Sequence, residues 1–94
     1  MFILDITYIA PVDRIDELMP AHVAWLKQGR AAGSFLAWGR KVPRTGGIVL
    51  AVGGRAEVEA VAAADPFVTS GAAKVNLIEM APSFVEDGLE LLNR

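Results

Sequence analysis

The sequence contains no cysteine and only one histidine among its 94 residues. The absence of cysteine excludes a disulfide framework, a thiolate nucleophile, an iron–sulfur cluster and any cysteine-based zinc site. One histidine accompanied only by carboxylates is also a poor donor set for zinc or copper. We therefore expect no metal and no cofactor, and the lack of disulfides favours a cytoplasmic location.

Charge is scarce, and neither sign dominates. Nine Lys and Arg residues stand against eleven Asp and Glu residues, for a net charge of -2, so nothing attracts the chain to nucleic acid phosphates. No apolar stretch is long enough to cross a bilayer, and the apolar N-terminus carries Asp5 and lacks the basic region of a signal peptide. We expect no nucleic-acid partner, no membrane insertion and no export.

Hydrophobic residues are abundant, at 53% of the chain, whereas charged residues make up 21%. A chain of this length forms one domain with one core, and we assign residues 1–94 to that domain. Such a composition exceeds what a small soluble monomer needs, so some apolar surface should be covered by a partner subunit. Composition therefore predicts a homo-oligomer.

Alternating and helical periodicities predict the element order β-α-β-β-α-β followed by a tail. Asp13 or Asp16 is expected to cap the first helix and Gly33 to end it, while Pro20 implies either a kinked helix, which we prefer, or a short turn followed by a helix. The predicted strands are 2–10, 34–42, 46–54 and 72–81, the helices are about 13–32 and 55–64, and residues 83–94 are expected to form a C-terminal helical tail.

This order predicts an α+β fold of the ferredoxin-like type, a four-stranded antiparallel sheet with two helices on one face. The first strand, however, is apolar on both sides: Leu4 and Ile6 alternate with Ile3 and Ile9. Two helices cover only one face of the sheet. We therefore expect a two-fold homodimer that packs sheet against sheet as a dimeric α+β barrel.

His22 occupies the middle of the apolar stripe of the first helix, three or four residues from most of its members. Its imidazole should thus be buried against the sheet. One interpretation is a core histidine bonded to a backbone carbonyl, and the other is a functional group with a specific partner. The helical stripe consists of Ile15, Leu18, Met19, Trp25 and Leu26.

Asp65 is a candidate for that partner. It falls at the end of the second predicted helix, where the helix dipole disfavours a carboxylate unless a donor or cation faces it, and Pro66 turns it away from the helical conformation. Both helices lie on one face of the predicted sheet, so Asp65 and His22 can meet at the edge of that layer. The alternative is an aspartate that only forms a turn before proline.

Several further residues are candidates for ligand binding. Tyr8, Phe67 and Trp38 are either pocket-lining aromatics or plain core residues. The cations of the segment between the second and third strands are either receptors for an anionic substrate or part of a solvated hairpin. These cations are Arg40, Lys41 and Arg44, with Arg55 nearby in the sequence.

With these residues in place, the sequence resembles the YCII-related (YciI-like) family of small dimeric ferredoxin-like proteins. The resemblance covers about residues 1–81, and the chain departs from it in the basic Arg40–Arg44 hairpin and the hydrophobic tail. It implies that His22 and Asp65 form an active-site pair and that related members act on small ring compounds in catabolic pathways. The matching features are Ala21-His22-Val23-Ala24-Trp25-Leu26, Gly33, Trp38-Gly39 and Asp65-Pro66-Phe67 after an alanine-rich helix.

Two functional hypotheses follow. In the first, Asp65 orients His22, which moves a proton on a small cyclic anionic compound, as an isomerase or lyase without a cofactor; Tyr8, Arg40 and Phe67 bind the substrate. In the second, the same pair belongs to a non-catalytic dimer that binds a small ligand or another protein. An open cavity beside His22, large enough for a ring, favours the enzyme; an enclosed pair without a cavity favours the binding protein.

Overall fold

The computed structural model describes all residues, 1–94. Its elements follow the predicted order with one addition, the single helical turn α3, and the helical tail predicted for residues 83–94 is limited to a single 3-10 turn. The elements are β1 (Phe2–Tyr8), α1 (Val12–Ala31), β2 (Phe35–Arg40), β3 (Gly46–Ala51), α2 (Arg55–Ala63), α3 (Pro66–Thr69) and β4 (Ala73–Glu79), and one 3-10 turn follows at Glu90–Asn93.

The four strands form one sheet in the order β2-β3-β1-β4, and every neighbouring pair is antiparallel. This is the order that a split βαβ arrangement requires, because β1 lies in the centre and each helix crosses over one strand. The predicted ferredoxin-like α+β fold is confirmed.

The core lies between the sheet and its helices. Alternation along β1 places Phe2, Leu4 and Ile6 against the helical layer, and all three are buried. The stripe of α1 meets them with Ile15 and Leu26, also buried. The helix is therefore held on the sheet by its apolar face, as its periodicity predicts.

The first helix differs from its prediction at its start. It runs through Pro20 as one helix to Ala31, so the alternative of a separate opening turn is excluded. Pro11 is its N-cap residue and no side chain caps it, so the expected capping by Asp13 or Asp16 was wrong. Since the helix begins at Val12, Asp13 lies inside the first turn, where a carboxylate favours the dipole instead. Gly33, at φ 77°, follows the helix end as predicted.

The face of the sheet opposite the helices has no covering element. Ile3 of β1 lies on this face, near one end of the strand, between its partners Leu50 of β3 and Ile78 of β4. Further along β1, Asp5 on the same face forms an ion pair with Lys41, at 2.6 Å between Oδ1 and Nζ. This open face is therefore apolar at one end and charged at the other. None of the helices is both long enough and apolar enough to span a bilayer.

Candidate active site between the first helix and the sheet

The imidazole of His22 lies under α1 with only 9% of the residue exposed. Its position in mid-stripe turns it toward the sheet, as the spacing predicts. The helix is steadied here by Trp25, whose indole N–H donates to the carbonyl of Val61 in α2 at 3.0 Å. Packing between two helices and the sheet thus fixes the position of the histidine.

Asp65 is fully buried and acts as the N-cap of α3. Its Oδ1 accepts the backbone N–H of Phe67 at 3.0 Å, and Pro66 occupies the first position of that helix. The carboxylate therefore starts a new helix, whereas α2 ends at Ala63. The local turn role that we considered as an alternative is real, and it orients the side chain for a second contact.

That second contact is with His22. Nδ1 of the imidazole lies 2.8 Å from the same Oδ1 of Asp65, so the two side chains meet as predicted. Because the carboxylate oxygen accepts, Nδ1 carries the proton of the neutral ring and Nε2 carries the lone pair. Nε2 makes no hydrogen bond within the chain and retains access to solvent. The expected backbone-carbonyl partner of a plain core histidine is absent.

Phe67 completes the surroundings of the pair. Its ring stacks on the imidazole with centroids 3.9 Å apart and planes 10° from parallel. Tyr8 packs its ring edge-on against Phe67 at 5.8 Å. The electronegative face of the Phe67 ring therefore lies directly against the imidazole.

A cavity of about 190 Å³ opens beside His22 between α1 and the sheet. Nine of its thirteen lining residues are hydrophobic. The lining includes the three residues predicted to bind substrate, which are Tyr8, Arg40 and Phe67, and it also includes Trp38. The lining residues are Ile6, Tyr8, Met19, His22, Val23, Leu26, Trp38, Gly39, Arg40, Gly47, Ile48, Val49 and Phe67.

Among the four candidate cations, only Arg40 both lines this cavity and lacks an acidic partner. Lys41 pairs with Asp5, and Arg44 pairs with Asp16 at 2.6 Å. Arg55 bonds Glu59 and Glu79. Hydrogen bonds to these carboxylates raise the pKa of Arg44 and the pKa of Arg55. The free guanidinium in the neighbourhood of the histidine therefore belongs to Arg40.

No group of three or more His, Cys, Asp or Glu side chains is placed to hold a metal ion. The polar groups at the cavity are a histidine with a free nitrogen, a buried carboxylate behind it and one cation. Such a set can remove a proton from a bound compound and hold its negative charge.

From the sequence we did not predict that Gly47 lines the cavity or that Asp65 caps α3. An Asp-Pro pair is a recognised helix start, with the acid at the N-cap and proline in the first turn, and this signal was present. The position of Gly47 depends on strand register, which no local pattern reveals.

Comparison with known proteins places the chain in one family. No curated protein matches the chain. A family model does, over residues 1–81, so that the match includes every element of the sheet, both long helices and the whole of the His22–Asp65 site. The chain therefore belongs to the family defined by the YCII-related domain.

Proposed function

We propose that this protein is a cofactor-independent acid–base enzyme, of the isomerase or lyase type, acting on a small cyclic anionic compound. The observation that carries the proposal is the buried bond of 2.8 Å between Nδ1 of His22 and Oδ1 of Asp65, with Nε2 free beside a cavity. A base needs a nitrogen that faces the substrate and a second group that fixes its tautomer, and the pair supplies both.

In the proposed reaction, Nε2 of His22 takes a proton from a ring carbon next to an electron-withdrawing group. The electron pair of that C–H bond moves into the ring system while the imidazole becomes cationic. Asp65 stabilises this cation through Nδ1–H, and the face of Phe67 does so through its quadrupole. Return of the proton to a different carbon gives an isomerisation, whereas loss of a leaving group gives an elimination.

The cavity supports a catalytic role over the non-catalytic alternative. The two hypotheses differ on whether space for a ring adjoins His22, and a cavity of about 190 Å³ is present. Arg40 offers a charged donor for a carboxylate on that ring, and a guanidinium matches a carboxylate in geometry as well as charge. Together they favour an anionic ring compound.

The missing hydrogen bond at one carboxylate oxygen of Asp65 also supports a functional role. Its Oδ2 is enclosed and has no hydrogen-bond partner. An unsatisfied buried oxygen costs roughly 1–3 kcal/mol or more, so packing alone does not favour a carboxylate at this position. Groups that are kept at such a cost cluster at functional sites.

We also propose that the protein works as a cytoplasmic two-fold homodimer. Ile3, Leu50 and Ile78 form an apolar patch on the open face of the sheet, with Ile78 still 43% exposed. Packing two such faces together removes this area from water, which stabilises the dimer. The site described above lies on the other face of the sheet, so both copies keep their cavities open.

The proton-transfer step is tested by deuterium exchange. The probe is 3-oxocyclohexanecarboxylate in D2O, and proton NMR follows loss of the signals next to the ketone. The wild-type protein should accelerate this exchange, and His22→Gln should reduce the acceleration by roughly 10²–10⁴-fold, the usual contribution of a general base. Equal rates for the two proteins, with folding of the variant confirmed by circular dichroism, would contradict the proposal and leave ligand binding as the function.

A further inference from the structure

We infer that the substrate is a carboxylate with a single ring and that Gly47 sets this size limit, because its missing side chain forms the space that the ring occupies. The inference rests on the proposed function, since it concerns the compound that His22 acts on. It adds a residue that selects substrates by size but takes no part in proton transfer.

Strand register places Gly47 on the floor of the cavity. In β3 it pairs with Ile6 of β1 on one side and with Arg40 of β2 on the other. Ile6 is buried under the helices, and so is Val49, two residues further along β3. Because side chains alternate along a strand, a side chain at position 47 would point to the same face, toward α1.

The surroundings of Gly47 leave room for a ligand rather than for a packed side chain. A Cβ built there meets only one atom within contact range, the carbonyl oxygen of Gly39 at 3.1 Å. No side chain of the protein fills the position. A methyl group would thus fit with a small adjustment, whereas a branched side chain would extend into the cavity and reduce its volume.

Gly39 provides a matched comparison in the neighbouring strand. Its backbone also lines the cavity, but it pairs with Ile48, which in turn pairs with Asp5 on the open face of the sheet. A Cβ at Gly39 meets nothing within 4 Å. A side chain at position 39 would point away from the cavity, whereas one at position 47 would point into it. The same substitution at the two glycines therefore tests the direction of the added side chain.

The cavity volume sets the upper size of the ligand. An apolar cavity of about 150 Å³ is known to hold benzene, and the space above Gly47 is about 190 Å³. One ring therefore fills it, with its substituents toward the opening. A second fused ring would extend beyond this volume, into the opening or against the side chains of α1.

The residues that line the cavity indicate which chemical groups the ligand carries. Trp38 offers a partly exposed aromatic surface to the ring, and Arg40 offers a guanidinium without an acidic partner. A single ring with one carboxylate satisfies both, with the ring above Gly47 and the carboxylate at Arg40.

Binding of two probes, benzoate and 2-naphthoate, tests the inference without any turnover. The indole N–H signal of Trp38 reports binding by NMR in every variant. We expect wild type to bind benzoate saturably and 2-naphthoate about tenfold more weakly or not at all. Gly47→Val should weaken benzoate binding about tenfold or more, Gly47→Ala less, and Gly39→Ala should leave it unchanged.

Three results would overturn the inference: no saturable binding of benzoate by wild type, equal affinity for both probes, or unchanged benzoate binding in Gly47→Val. If Gly47→Val fails to fold, Gly47→Ala and the comparison of the two probes on wild type still decide the matter. Failure of the proposed function looks different. In that case His22→Gln keeps the wild-type rate of deuterium exchange while the discrimination between the two probes remains.

Discussion

The imidazole of His22 lies flat against the ring of Phe67, with centroids 3.9 Å apart. The same Phe67 donates its backbone N–H to the carboxylate oxygen that His22 bonds. One residue thus supports both members of the pair, the histidine through its ring and the aspartate through its main chain. Because Phe67 is buried, neither contact can relax independently of the core.

Replacing the ring of Phe67 should impair proton transfer more than it impairs folding. Phe67→Leu keeps a large apolar side chain and the backbone N–H but removes the aromatic face. We expect the free energy of unfolding to fall by about 1–2 kcal/mol and deuterium exchange to slow well beyond that of a matched control. Phe35→Leu is the control, since Phe35 is equally buried and packs on Trp25 but does not line the cavity. Equal exchange rates in the two variants would show that the stack has no electrostatic role.

The two hydrogen bonds accepted by Asp65 should contribute to the free energy of unfolding. Asp65→Ala leaves the N–H of Phe67 and Nδ1 of His22 without their acceptor, at an expected cost of about 2–4 kcal/mol in the free energy of unfolding. Asp65→Asn retains an acceptor oxygen and the capacity to cap α3, so its cost should be smaller. Urea denaturation of both variants measures the difference. A similar loss in both would mean that the carboxylate charge, rather than the acceptor geometry, stabilises the fold.

Replacing Arg40 and Arg44 one at a time should distinguish an effect on ligand binding from an effect on stability. Both lie at the ends of the hairpin segment outside the core, so Arg40→Ser and Arg44→Ser should leave the melting temperature nearly unchanged. Arg40→Ser should nevertheless weaken benzoate binding about tenfold, the value of a hydrogen bond to a charged group. Arg44→Ser should not, because Arg44 is paired with Asp16. Equal effects of the two changes on benzoate would argue against a specific role for Arg40.

The proposed dimer depends on the apolar end of the open face. Ile3→Glu places a charge between Leu50 and Ile78 and should convert the dimer to a monomer. Ala60→Glu adds the same charge on the exposed side of α2 and should leave the dimer intact. Sedimentation velocity at micromolar concentration distinguishes the two states. A monomeric wild-type protein under these conditions would contradict the proposed dimer.

Local periodicity was sufficient to predict the sheet, the long helices and the burial of His22. Alternation along β1 and the stripe on α1 each involve residues only two to four positions apart, and burial follows directly from that spacing. The approach of Asp65 to His22 was also predictable, because both helices must lie on the same face of the sheet.

Other features depend on contacts that the local pattern does not contain. The helix α3 was missed because Asp65 and Pro66 both end one helix and begin another, and only the fold decides between these readings. The cap at Pro11 was missed since either nearby aspartate met the usual preference. The cavity arises from the register of three strands at Gly47, which is a property of the assembled sheet.

In the proposed site, Asp65 holds His22 with its proton on Nδ1 and its lone pair at Nε2, facing the cavity. Since His22 is the only histidine, a long-range proton–nitrogen NMR spectrum of uniformly labelled protein reports this ring without assignment, recorded at a pH where the ring is neutral. We expect a protonated Nδ1 and an unprotonated Nε2 in wild type, and a mixture of the two tautomers in Asp65→Ala. A wild-type ring protonated at Nε2, or a tautomer that does not change in Asp65→Ala, would contradict this arrangement.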